Sequence, residues 1–117
     1  MPNNPNTPSP PTLTLDIDRG AHPIVVRLHG KLVSGVGDIL YDQLRPLLPD
    51  HKRIILDLTD LVRVDSMGLG TLARLYVSAR REGCSLQLIN LGKQVRLLLD
   101  TAHMLEAFTA LANTALR

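Results

Sequence analysis

RIILDLTDLVRVDSMGLGTLARLYVSARREG, residues Arg53 to Gly83, decides how this chain is read. Its first six residues, Arg53–Leu58, set Ile54, Ile55 and Leu56 in a row between polar neighbours. A short apolar run bounded in that way predicts a strand buried on both faces. Thr59 to Asp65 reads as a bridge. From Ser66 the period changes: Leu69, Leu72, Ala73 and Tyr76, extended by Ala79 or Arg80, recur at helical spacing, and Gly83 stands where a C-terminal cap belongs. Strand, polar turn and helix in this order are the unit of an α/β fold.

The turn carries the interest. Either Asp65 or Ser66 can act as N-cap, accepting a bond from an N–H of the first helical turn. Gly68 and Gly70 each cost a helix interior about 1 kcal/mol relative to Ala. Capping does not account for them. The pair predicts a first turn without bulk, where another protein can reach Ser66 while Met67 and Leu69 offer apolar contacts. A serine at a helix N-terminus also suits a phosphate, because the dipole and free N–H groups stabilise the added charge. Beside Asp65 the same dianion repels, and at an apolar contact it blocks binding. A switch follows from those two facts.

Working outward, residues 1–11 (MPNNPNTPSPP) are rich in Pro and Asn and predict a disordered tail ahead of a single domain over residues 12–117. Thr12–Asp18 alternates apolar and polar residues and Ile24–Gly30 follows after a short link, which predicts an antiparallel hairpin. Lys31–Gly37 reads as a loop. Asp38 is placed to cap a helix running to Leu48, with Pro46 set to kink or shorten it. Ser85–Asn90 predicts a strand and Lys93–Ala102 a helix with Val95, Leu98 and Leu99 inward. Leu105–Phe108 reads as a short edge strand and the stretch from about Ala110 as a last helix. Alternating strands and helices predict a mostly parallel sheet, which the opening hairpin makes mixed.

Composition narrows the function classes. The 117 residues suffice for one modest core, and with 44% hydrophobic but only 3% aromatic residues that core must be aliphatic. So few aromatics argue against stacking surfaces for RNA or single-stranded DNA. The net charge of +2 comes from scattered Lys and Arg, so no nucleic-acid partner is expected. Arg74, Arg80 and Arg81 read as a solvated helix face. The lone Cys84 reads as a packed, inert thiol and fits a reducing compartment, and no apolar run reaches the ~18 residues of a membrane span. Neither a signal peptide nor a membrane is expected, and the cytoplasm is the default location.

Enzyme motifs fail on context. Ser66 has Val64 where a nucleophile elbow needs Gly, and no His is placed as its base. Gly68–Ala73 nominally fits the dinucleotide fingerprint, but nine residues separate it from Leu58, and the acid expected about 20 residues on is missing. Asp57, Asp60 and Asp65 cluster in sequence without completing an oxygen cage, and the four His lack ligand spacing. No catalytic residue, metal or cofactor is expected.

From Ile54 to Asp100 the chain resembles the STAS domain of bacterial anti-sigma-factor antagonists, most specifically in the strand, the Asp65-Ser66-Met67-Gly68-Leu69-Gly70 segment and the helix after it. The similarity runs from Leu13 to about Phe108. It implies a STAS fold: a mixed, mostly parallel sheet of four to five strands with helices packed mainly on one face. It implies that Ser66 is phosphorylated by an anti-sigma factor that is also a serine kinase, that the unphosphorylated form binds this kinase and frees the sigma factor, and that a PP2C-type serine phosphatase resets the cycle. The family's loop after the second strand lies near the phosphosite and helps to contact the kinase. Here that loop is Gly30-Lys31-Leu32-Val33 in place of Gly-Glu-Leu-Asp, and Met67 stands where Ser or Thr is usual. The implied partner surface is Lys31, Val33 and Asp65 to Gly70. A constitutive scaffold module, with Ser66 only a cap, is the alternative.

Overall fold

The computed structural model describes residues 12–101. The expected tail, edge strand and last helix fall outside those residues. Four strands form one sheet in the order β1 (Leu13–Asp18), β2 (Ile24–Leu32), β3 (Arg53–Val64), β4 (Ser85–Ile89). β1 pairs with β2 antiparallel, while β2–β3 and β3–β4 are parallel. Among the described residues α1 (Gly37–Leu44), continued by a 3-10 segment (Arg45–Asp50), and α2 (Ser66–Arg81) connect strands, and α3 (Lys93–Thr101) follows β4.

One sheet face makes the core. Register sets Val26, Leu56 and Leu88 side by side, with Ile24, Ile54 and Leu86 as the next row, and all six are buried. Leu40 and Leu44 of α1, Leu72, Leu75 and Ala79 of α2, and Val95 and Leu99 of α3 close over the same cluster. The expectation that β3 is buried on both faces is corrected here. Its burial alternates strictly from Arg53 to Leu58, and Ile55 on the other face is only half-buried. That face carries exposed Arg27 and Asp16 in register with Asp57, so it is the polar alternation of a one-sided sheet.

Several element bounds also shift. β3 continues through the expected bridge to Val64, and β2 runs on to Leu32, because the two pair with each other across register irregularities up to Leu32–Val64. α1 starts at Gly37 with Val36 as its N-cap, so Asp38 adds charge to the first turn instead of capping it. Pro46 ends the α-helix at Leu44 and the chain tightens into the 3-10 segment, since proline offers no N–H for the next turn. α2 buries Gly68, Thr71, Leu72, Leu75 and Ala79, a face rotated from the expected one, with Leu69, Ala73 and Tyr76 half-buried at its edge. Its end is as read. Gly83 takes a left-handed φ of +74°, donates to the Arg80 carbonyl (3.2 Å), and Cys84 N–H reaches back to the Ala79 carbonyl (2.8 Å), a Schellman ending. Cys84 is buried, and burial raises its thiol pKa. In α3, Val95 and Leu99 face the core while Leu98 is only half-buried.

Candidate functional site

The candidate turn sits where β2 and β3 end together. Beyond the last parallel pair, Asp65 N–H donates to the Leu32 carbonyl (3.3 Å), which fixes the entry into α2. Asp65 is extended and caps the helix: its Oδ1 accepts from Gly68 N–H at 2.8 Å. Its Oδ2 accepts from Ser34 N–H at 2.9 Å, on the loop between β2 and α1. One carboxylate therefore ties the start of α2 to the neighbouring loop. The bond from Gly68 lowers the Asp65 pKa most and that from Ser34 next; burial works the other way, and the Met67 N–H and the Arg63 charge add lesser downward effects. Asp65 is ionised at neutral pH.

The choice of cap is thereby resolved, and Ser66 is not it. Ser66 is the first residue of α2, exposed, and its hydroxyl has no hydrogen-bond partner among the described residues. Met67 beside it is 63% exposed. Leu69 is half-buried against the core edge.

The two glycines have different reasons. The expectation that both clear the first turn for a partner is corrected at Gly68, which is buried. A Cβ there would lie 2.8 Å from the Leu32 carbonyl carbon, and closer still to its oxygen, so the missing side chain lets α2 rest on the end of β2. At Gly70, which is exposed, a Cβ meets open space.

Lys31 and Arg63, both exposed, are cross-strand neighbours at this end of the sheet. Val33 is half-buried in the loop that Asp65 holds. Val62, which sequence reading assigned no role, is 69% exposed one residue before Arg63. Its signal is hidden because Thr59–Asp65 has the polar composition of a bridge, whereas the bulged strand turns both Val62 and Arg63 outward between buried Leu61 and Val64. The Asp65–Ser34 bond had no signal at all, since it joins residues 31 apart in sequence.

The three acids do not converge. Asp57 lies on the polar sheet face, where Thr59 N–H (3.0 Å), Thr59 Oγ1 (2.6 Å) and Asn90 Nδ2 (3.0 Å) donate to its Oδ1 and Arg27 lies 3.8 Å from Oδ2. Burial works to raise its pKa, but these bonds and the Arg27 charge outweigh it and the net direction is down. Asp60 pairs with His29 Nδ1 at 3.1 Å. Among the described residues no group of three His, Cys, Asp or Glu is placed to hold a metal ion, and no helix is long and apolar enough to cross a membrane.

A family profile described as the Mlab STAS domain matches residues 15–111. Solved structures share the fold at low identity. The anti-sigma factor antagonist SpoIIAA in its unphosphorylated form superposes with a TM-score of 0.69 at 16% identity, over 81% of this chain and 85% of that one. An anti-sigma factor antagonist from Mycobacterium paratuberculosis gives 0.71 at 19% identity over 86% of each chain. A sulfate transporter family protein from Wolinella succinogenes gives 0.62 at 23% identity, over 71% of this chain and 68% of that one. The chain belongs to the STAS domain family.

Proposed function

We propose that this STAS domain is an anti-sigma-factor antagonist of the cytoplasm, which binds a serine-kinase anti-sigma factor while Ser66 is unmodified and is released when Ser66 is phosphorylated. The observation that carries the reading is the division of labour at the turn. Asp65 caps the helix through Oδ1 and holds the neighbouring loop through Oδ2, so the Ser66 hydroxyl is exposed at the helix start with no structural bond to lose. A kinase can take it without unfolding the turn.

A phosphate there meets opposing forces. The first-turn N–H groups and the helix dipole favour it. The ionised Asp65 beside it disfavours it, and the exposed Met67 surface would gain a dianion next to an apolar contact. The modification leaves the fold intact and changes what the surface binds. Lys31 and Val33, on the strand end and loop beside the turn, would join Asp65, Ser66, Met67, Leu69 and Gly70 in the contact, with buried Gly68 holding the helix in place beneath it. A PP2C-type serine phosphatase would reverse the step. The role is regulatory, with no catalysis by this chain.

The test is incubation with the candidate kinase and ATP, mapping of phosphate by mass spectrometry, and affinity measurement for Ser66→Ala and Ser66→Asp. Label at Ser66 and a loss of at least tenfold in affinity for Ser66→Asp alone are expected, the scale of one misplaced charge at an interface. A second reading, a constitutive interaction module, draws on the exposed apolar pair Val62 and Met67, which supports binding without any modification. It takes over if Ser66→Asp binds the partner as the wild type does.

A further inference from the structure

At the opposite end of α2 from Ser66, a second set of polar groups converges. Ser78 lies twelve residues along the helix, about 18 Å away at helical rise. Its hydroxyl is 2.9 Å from the Tyr41 phenol of α1. The Arg74 guanidinium stacks on that ring, 4.3 Å from its centroid. At this pair the end of α1, the 3-10 segment and the last turn of α2 line a half-open groove of about 460 Å³, within the size range of small-molecule sites. Arg45 and Arg81 stand in its wall beside the two hydroxyls, and Pro46 and Pro49 give it an apolar side.

The charges there are unbalanced. Among the described residues Arg45, Arg74 and Arg81 have no carboxylate within ion-pair distance, and Glu82 is the single acidic residue in the wall. The Tyr41 phenol reads the same field. Its pKa is lowered first by the bond with Ser78 and, against the effect of burial, by the charges of Arg45 and Arg74. Two guanidiniums against one carboxylate leave the wall net positive, which favours an anion there. Arginine forks match the oxygens of a phosphate, and hydroxyls donate to the same oxygens. Arg74, Arg80 and Arg81 are all exposed, as the expected solvated face has it; Arg80 donates to Tyr76 on its own helix, and Arg81 also lines the groove.

We propose that this groove binds a small organic phosphate, with its phosphate on Arg45, Arg81 and the Tyr41–Ser78 hydroxyl pair and its organic part against Pro46 and Pro49. The site is separate from the Ser66 turn and independent of the partner-switching reading. It places a small-molecule site on the same helix that carries Ser66.

Calorimetric titration of the full chain with ATP, glucose 6-phosphate, inorganic phosphate and adenosine tests it. One of the two organic phosphates is expected to bind with a Kd of about 10–100 μM. Inorganic phosphate, lacking the apolar part, and adenosine, lacking the charge, should bind at least about tenfold more weakly. Arg45→Gln and Arg81→Gln should each weaken binding by about tenfold or more, the scale of a lost charge-assisted contact. Both side chains are exposed, so the fold should survive, as circular dichroism would verify. Arg96→Gln, at an exposed position of α3 away from the groove, should leave binding unchanged. Absence of heat with both organic phosphates at millimolar concentration overturns the proposal, as does binding that survives the double Arg45→Gln/Arg81→Gln change. Equal affinity for inorganic phosphate overturns the assignment of an organic ligand.

Discussion

Gly68→Ala and Gly70→Ala are the same chemical change two residues apart on one helix, and they should move stability in opposite directions. Both positions lie in α2, where alanine is favoured over glycine by about 1 kcal/mol. At Gly70 nothing stands within 4 Å of the added methyl, so the full gain is available. At Gly68 the methyl meets the Leu32 carbonyl carbon at 2.8 Å and its oxygen closer still. The obstacle is backbone, pinned by the Leu32–Val64 pairing and by the bond from Asp65 N–H to the Leu32 carbonyl. It cannot rotate away as a side chain end does. The helix start must lift by about 1 Å, the gap between a clash and ordinary carbon contact distances. That strains the Asp65 bonds to Gly68 and Ser34 together. Overpacking a close site costs about 1–3 kcal/mol, and a rigid obstacle places this one at the upper end. After the propensity gain, the net loss is about 2 kcal/mol at Gly68, against a gain of about 1 kcal/mol at Gly70. Urea unfolding at constant m-value measures both, and midpoints from thermal melts should separate by about 10 °C or more for a domain of this size. Gly68→Ala as stable as wild type would refute the claim that internal contact fixes this glycine.

Other outcomes follow from the same geometry. Asp57 and Asp65 are held below the unfolded carboxylate value of about 3.9, so both add stability above that pH, and it is lost as pH falls through their folded values. Acid titration of the unfolding midpoint should show a loss confined to this range, and Asp57→Asn should reduce its slope; a slope identical to wild type contradicts the assignment. Asp65→Ala should destabilise the protein and speed amide exchange at both Gly68 and Ser34, whereas exchange faster at only one would break the proposed link between them. Ser66→Ala should stay within about 0.5 kcal/mol of wild type, since no bond is lost, and a larger drop in the urea midpoint would mean a structural role for the hydroxyl. Cys84, buried with a raised pKa, should resist iodoacetamide at pH 7.5 until denaturant is added; rapid labelling of the native protein would show the thiol to be open.

The strand–turn–helix unit was legible because each of its signals is local. The apolar run of β3, the helical period of α2 and the glycine at its end each follow from neighbours within a few residues. Ser66 and Asp65 stood out for the same reason. What was hidden depends on contacts between distant segments. β2 and β3 extend beyond their apolar runs because they pair with each other, and a polar residue in a ladder looks like a loop residue in sequence. The inward face of α2 is set by what lies beneath it, so Gly68 and Thr71 are buried where a reading by hydrophobicity prefers Leu69 and Tyr76. A glycine required by close approach and a glycine in open space are the same letter. Only the position of the Leu32 carbonyl tells them apart. The Tyr41–Ser78 contact likewise spans 37 residues and left no trace in either segment.

The double grip of Asp65 also has a consequence for how such a module can diversify. The geometry of the serine depends on two positions, 65 and 68, and on main-chain atoms of the β2–α1 loop. The side chains of Lys31, Val33, Ser66 and Met67 carry none of the bonds that hold the turn. The scaffold and the address are thus written in different letters. On the proposed reading, a new recognition partner is acquired by rewriting the address alone, with the serine still presented from the same place.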